Sequence, residues 1–95
     1  MMRLLWTKRA VNDLHQVREH IRLDSPAAAA RTGERIESAT SKLLQQPEMG
    51  RKGEVPGTRE LVIPGLPYIV VYRVQSDKVQ ILRIFHSKQK WPDAF

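Results

Sequence analysis

Apolar residues recur with a helical period over the first half of the chain and with an extended one over the second. Met2 to Trp6 is a short apolar stretch that predicts a strand, and Thr7 is placed to cap a helix behind it. Ala10, Leu14, Val17 and Ile21 then fall at helical spacing with polar residues between them, which predicts an amphipathic helix running to Leu23. The stretch "DSPAAAAR" breaks that helix and starts another: Ser25 supplies a cap, Pro26 suits the first helical position, and the alanines favour helix. Ala29, Ile36, Ala39 and Leu43 share one face of this second helix, and the Pro- and Gly-bearing "QQPEMGRKGEVPG" ends it. So short a connection between two helices predicts an antiparallel hairpin.

Beyond the loop, "TRELVIPG", "LPYIVVYRV" and "KVQILRIF" are β-branched and aromatic runs separated by the turn-forming "PGLP" and "QSD". Strands joined this tightly form an antiparallel meander. The second and third runs are apolar on both faces, so they are expected at the centre of a sheet that the helices cover on at least one side. The pattern therefore predicts an α+β fold: an N-terminal strand and a two-helix hairpin packed on a mostly antiparallel four-stranded sheet, with the first strand at one edge. No internal repeat is present.

At 95 residues the chain is read as a single domain spanning 1–95, long enough for one small core. Its 41% hydrophobic content argues against disorder. Sixteen Lys+Arg against ten Asp+Glu give a formal charge of +6, which favours nucleic acid or acidic proteins as partners. The excess is +2 over residues 1–50 and +4 over 51–95, so the second half is the more basic. The absence of cysteine removes disulfides and thiolate chemistry. The apolar run in "MMRLLWTKRA" is too short for a signal peptide, and no stretch reaches membrane-spanning length. A cytoplasmic protein without cofactor or membrane contact is expected.

Five pieces in this order, "WTKRAVNDL", "DSPAAA", "GTRELVI", "PYIVVYRV" and "VQILRIFHSKQKWP", resemble the RelE/ParE superfamily of bacterial toxins and cover nearly the whole chain. The resemblance implies a type II toxin–antitoxin system, with a cognate antitoxin whose partly disordered segment wraps and neutralises the toxin. RelE-like members cleave mRNA in the ribosomal A site, whereas ParE-like members inhibit DNA gyrase. The fold does not choose between them. "GTRELVIPGLPYIVVYRV" is more similar to the ParE branch, which makes gyrase inhibition the leading expectation and a ribosome-dependent endonuclease the alternative. A degenerate module retaining only antitoxin binding is the third reading.

RNA cleavage would require a base, an acid and cations around the phosphorane. His86 is the histidine outside the first helix and has the side chain best suited to proton transfer near neutrality, unless it is a strand-end residue bonded locally. Arg59, Arg73 and Arg83 interrupt apolar strands, which is costly unless each meets solvent, an anion, or a carboxylate such as Glu60 or Asp77. By strict alternation Arg83 shares a face with Val79, Ile81 and Phe85, and His86 with Leu82 and Ile84, so the two start on opposite faces. If the chain is RelE-like, His86, Arg83 and Arg59 are the catalytic candidates. Lys88 and Lys90 correspond to basic tail residues that contact mRNA in RelE-like toxins, and with Trp91 and Arg73 they form the candidate target-binding set. Trp91 could equally cover the core. Tyr68 and Tyr72 are expected in the core, and the tail "WPDAF" lacks the C-terminal tyrosine of many RNA-cleaving members. Glu54 and Glu60 are the available carboxylate bases. His15 and His20, roughly 140° apart on their helix, are expected to be solvated, and no metal site is suggested.

Overall fold

A computed structural model describes residues 1–89. Its elements run β1 (Arg3–Trp6), α1 (Lys8–Arg22), α2 (Pro26–Ser41), a 3-10 turn (Lys42–Leu44), β2 (Arg51–Lys52), β3 (Arg59–Val62), β4 (Tyr68–Gln75) and β5 (Lys78–His86). The caps are the ones the sequence predicts. The Thr7 hydroxyl accepts from the Ala10 N–H at 3.1 Å, and the Ser25 hydroxyl accepts from Ala28 at 3.1 Å with Pro26 opening α2. Each satisfies a backbone donor that the first helical turn leaves unpaired.

The sheet order is β1-β5-β4-β3-β2. β3, β4 and β5 form the expected meander, and β1 lies at the edge, parallel to β5, with Leu4 opposite Val79 and Trp6 opposite Ile81. The sheet has five strands rather than four. Arg51 and Lys52, read in the sequence as part of a polar loop, pair with Glu60 and Arg59 as the opposite edge. Two exposed basic residues carry no apolar alternation, and their pairing depends on partners nine and seven residues away in sequence.

Ala10, Leu14, Ile36 and Leu43 of the helical layer pack on Leu61, Val70, Tyr72, Val79 and Ile81 of the sheet. Burying these side chains supplies the main drive to fold, at about 1.5–3 kcal/mol for each large one. On the other face of β4, Ile69 and Val71 are buried too, which fits a central strand apolar on both sides.

One irregularity shapes the end of β5. Val71 pairs with Arg83 but Tyr72 pairs with Ile81, so the register skips Leu82. This bulge shifts the alternation by one residue. Val79 and Ile81 join Ile84 on the helical face instead of standing with Arg83 and Phe85 as strict alternation predicts.

Candidate functional site

β1 stops short of the end of β5. Thr7 closes the pairing, its N–H donating to the Ile81 carbonyl at 3.0 Å and its hydroxyl to the Leu82 carbonyl at 3.1 Å. Beyond that point, among the described residues, the outer edge of β5 has no strand beside it, and a side chain of α1 takes the strand's place. The Asp13 carboxylate accepts from the Ile84 N–H at 2.9 Å and from Arg83 Nε at 2.7 Å and Nη2 at 3.2 Å. Both charged side chains are shielded, with 15% of Arg83 and 10% of Asp13 exposed. The guanidinium also stacks on Phe85 at 4.7 Å from the ring centre. Sequence reasoning missed Asp13. A signal existed, since a carboxylate at position 13 lies on the apolar stripe set by Ala10, Leu14 and Val17, where an unpaired charge would be costly.

His86 ends β5 half-buried, its ring edge-on to that of Tyr68 with centroids 5.6 Å apart. Its Nδ1 accepts from the Lys88 N–H at 3.1 Å, so the neutral ring carries its proton on Nε2. Its backbone N–H donates to the Gln89 side chain, and its carbonyl accepts from the Gln89 N–H. A shallow groove of about 290 Å³ opens here, lined by Asp13, His20, Tyr68, Arg83, His86 and Gln89 among others. Arg83 and His86 thus start on opposite faces yet border one groove, because the Arg83 side chain bends round the strand edge to Asp13. His20 is exposed and borders the same groove, whereas His15 lines a separate cavity between α1 and the end of α2. Tyr68 is a core residue as predicted and a groove residue as well. Burial pushes its phenol above the ordinary tyrosine range.

The other predicted residues stand elsewhere. Arg59 donates to the carbonyls of Gly50 at 2.9 Å and Glu48 at 3.4 Å, pinning the loop before β2. Tyr72 pins the same loop from inside the core: its hydroxyl donates to the Pro47 carbonyl at 2.7 Å and accepts from the Gly50 N–H at 2.9 Å. Burial is the main reason its phenol is raised too, with the Gly50 bond and the Arg59 charge acting in opposition. A Cβ at Gly50 would sit 2.7 Å from the Tyr72 ring and hydroxyl, so this approach needs glycine. Arg73 is exposed and donates through Nε to Gln80 at 2.7 Å. None of the three strand arginines pairs with Glu60 or Asp77, the carboxylates offered as one alternative. Glu60 is buried, held by Arg51 at 3.0 Å and the Glu54 N–H at 3.2 Å, and Asp77 stands 3.9 Å from Arg3. Lys88 is exposed beside His86; Lys90 and Trp91 lie outside the described residues. Among the described residues no three His, Asp or Glu side chains are grouped to hold a metal ion, and no helix is long and apolar enough to cross a membrane.

A five-stranded sheet under a helical hairpin, with a basic strand end facing a shallow groove, is the architecture expected of a RelE/ParE-type toxin. Comparison with known proteins agrees. The family described as the ParE toxin of type II toxin–antitoxin systems, parDE, matches residues 4–91. The chain is 43% identical over 92 residues to the putative toxin Y4kP of Sinorhizobium fredii, covering 97% of this chain and 95% of that protein. It is 37% identical over 87 residues to toxin RelE2 of Caulobacter vibrioides, covering 92% and 97%. Among solved structures, one titled as the chromosomal ParDE system from P. aeruginosa superposes with a TM-score of 0.82 at 34% identity, over 90% of this chain and 96% of that one. The chain belongs to the ParE toxin family and is the toxin component of a type II toxin–antitoxin system, with a cognate antitoxin as its partner.

Proposed function

We propose that this toxin arrests growth by ParE-like inhibition of DNA gyrase rather than by cutting mRNA. One observation carries the reading: among the described residues, Arg83 is the one Lys or Arg side chain lining the His86 groove, and Asp13 already matches its charge. Attack of the 2′-hydroxyl oxygen on phosphorus, with the 5′-oxygen leaving, passes through a phosphorane whose negative charge needs cations free to meet it. Arg59 is spent on the loop carbonyls, Glu60 is engaged by Arg51, and Arg73 lines a different cavity; among the described members of the predicted set, exposed Lys88 is the cation left near His86, and it does not line the groove. In this reading the β5 end, with His86 and Lys88, is a binding surface for the target.

One observation favours the RelE-like reading as the second choice: His86 and Tyr68, two groups capable of proton transfer, lie ring to ring in a single groove with Lys88 close by. The relatives found carry both branch names, which fits a shared fold with divided targets. Inducing the protein without antitoxin and following DNA and protein synthesis by pulse labelling separates the two. Early loss of DNA synthesis with filamentation and intact mRNA supports gyrase inhibition; early loss of protein synthesis with mRNA fragments overturns it. Unchanged growth would instead support a degenerate antitoxin-binding module.

For the antitoxin we propose the groove of about 850 Å³ whose walls include Met2, Met49, Val74, Lys52 and Arg59. Met49 and Val74 are exposed beside half-buried Met2, and exposed Lys52 supplies a cation next to Glu48, which suits a segment that is mainly apolar with an acidic residue for Lys52 and folds as it binds.

A further inference from the structure

A second cationic cavity lies away from the His86 groove, on the other side of the Arg83 side chain. It has a volume of about 310 Å³ and sits between the start of α1, the 53–58 loop and the bulged stretch of β5. Arg9, Arg73 and Arg83 line it, with Val55, Pro56 and Leu82 as apolar walls; no carboxylate lines it among the described residues. The loop that forms one wall is fastened rather than loose. Gly53 N–H donates to the Thr58 carbonyl at 2.8 Å, the Thr58 hydroxyl donates to the Val55 carbonyl at 2.6 Å, and the Glu54 N–H is held by buried Glu60. The cavity is therefore preformed.

The charges indicate the ligand. Asp13 neutralises Arg83, which leaves Arg9 and Arg73 in excess. Arg9 has no hydrogen bond or ion pair among the described residues, and Arg73 uses only Nε on Gln80, so both Nη groups remain available. A carboxylate would match one of those charges, whereas a phosphate monoester, carrying about 1.5–2 negative charges at pH 7, matches both. Guanidinium forks suit the oxygen spacing of phosphate, and the apolar walls offer a seat for the body that bears it. We infer that this cavity binds an organic phosphate monoester, the phosphate between Arg9 and Arg73 and its organic body against Val55 and Pro56. The monoester has two sources with the same chemistry, a free nucleoside monophosphate or the 5′-phosphorylated end of a nucleic-acid strand. The inference stands whichever target the toxin has.

The test is binding to the purified full chain at 0.15 M salt, roughly physiological ionic strength, by calorimetry with three probes: adenosine monophosphate, a 5′-phosphorylated oligonucleotide and the same oligonucleotide with a 5′-hydroxyl. Saturable binding of the mononucleotide supports the site with a free nucleotide as source; binding of the phosphorylated strand alone supports it with a strand end. In either case Arg9→Gln and Arg73→Gln, both at exposed positions, should each weaken binding by about tenfold or more, the usual effect of losing a charged hydrogen bond. No binding of the mononucleotide together with no preference for the 5′-phosphorylated strand, glutarate competing as well as inorganic phosphate, or an affinity unchanged in either folded variant would each overturn it. Circular dichroism confirms that each variant is folded, and either variant alone suffices.

Discussion

The Asp13 carboxylate makes three bonds at once, and its removal should be among the most costly single changes in the molecule. In Asp13→Ala the Arg83 guanidinium, 15% exposed, loses its counter-charge and the buried Ile84 N–H loses its acceptor. Breaking a buried ion pair from one side costs about 3–5 kcal/mol, and an orphaned backbone donor about 1–3 kcal/mol, though the two overlap because one carboxylate serves both. Residual exposure of Arg83 lets water recover part of the loss, so about 3 kcal/mol is expected. That is a large share of the roughly 5–15 kcal/mol that holds a domain of this size together. Urea denaturation of Asp13→Ala, Arg83→Met and the double variant closes a thermodynamic cycle. The pair should show a coupling of about 1.5 kcal/mol or more, with the double variant more stable than the two single losses added together. Asp13→Asn should lose less than Asp13→Ala, because an amide oxygen still accepts from Ile84. A cost below about 1 kcal/mol for Asp13→Ala, or additive single losses, would refute the view that this carboxylate replaces the missing strand at the β5 edge.

Tyr72→Phe leaves the Gly50 N–H and Pro47 carbonyl without their partner and should cost about 1–3 kcal/mol in the same denaturation assay. Gly50→Ala should also destabilise, because the added methyl meets the Tyr72 ring and hydroxyl; a neutral result in a melting experiment would contradict that contact. Both tyrosines are raised by burial, so the unfolded chain loses its phenolic protons first. Stability is full below about pH 10, the ordinary tyrosine value, and falls as pH rises from there through the raised folded values. Absorbance titration of the native protein should accordingly show phenolate forming above the free-tyrosine range, and ordinary titration of both groups would contradict it. Removing charge at Lys88 and Lys90 should relieve toxicity in a protein that stays folded; full toxicity in the double variant would remove the tail from target engagement.

Much of the fold was legible because its signals are local. Thr7 and Ser25 mark helix starts through bonds to neighbours three residues on, Pro26 does so through its fixed φ at the first helical position, and the meander follows from turn residues between β-branched runs. The features the sequence did not reveal depend on distant pairings. β2 exists because Arg51 and Lys52 lie opposite Glu60 and Arg59, and nothing in the two basic residues announces a strand. The bulge at Leu82 is a mismatch in register between β4 and β5, which leaves no mark in either strand read alone. That single skipped residue explains why alternation misplaced Val79 and Ile81 relative to Arg83. The partner of Arg83 was sought among nearby carboxylates, yet it is Asp13, seventy residues away in sequence and adjacent only once α1 lies across β5. His86 was legible as a candidate by type; its contact with Tyr68 and its fixed tautomer required the structure.

The central claim is that a strand end with its arginine already neutralised binds a protein target instead of cutting RNA. Its most direct test is a supercoiling assay with purified DNA gyrase, run beside translating ribosomes loaded with a defined mRNA, each with and without the cognate antitoxin. The account predicts loss of supercoiling that the antitoxin reverses, with the mRNA intact. Unimpaired gyrase together with antitoxin-sensitive cleavage of the ribosome-bound mRNA would contradict it and make His86 and Tyr68 the residues to mutate next.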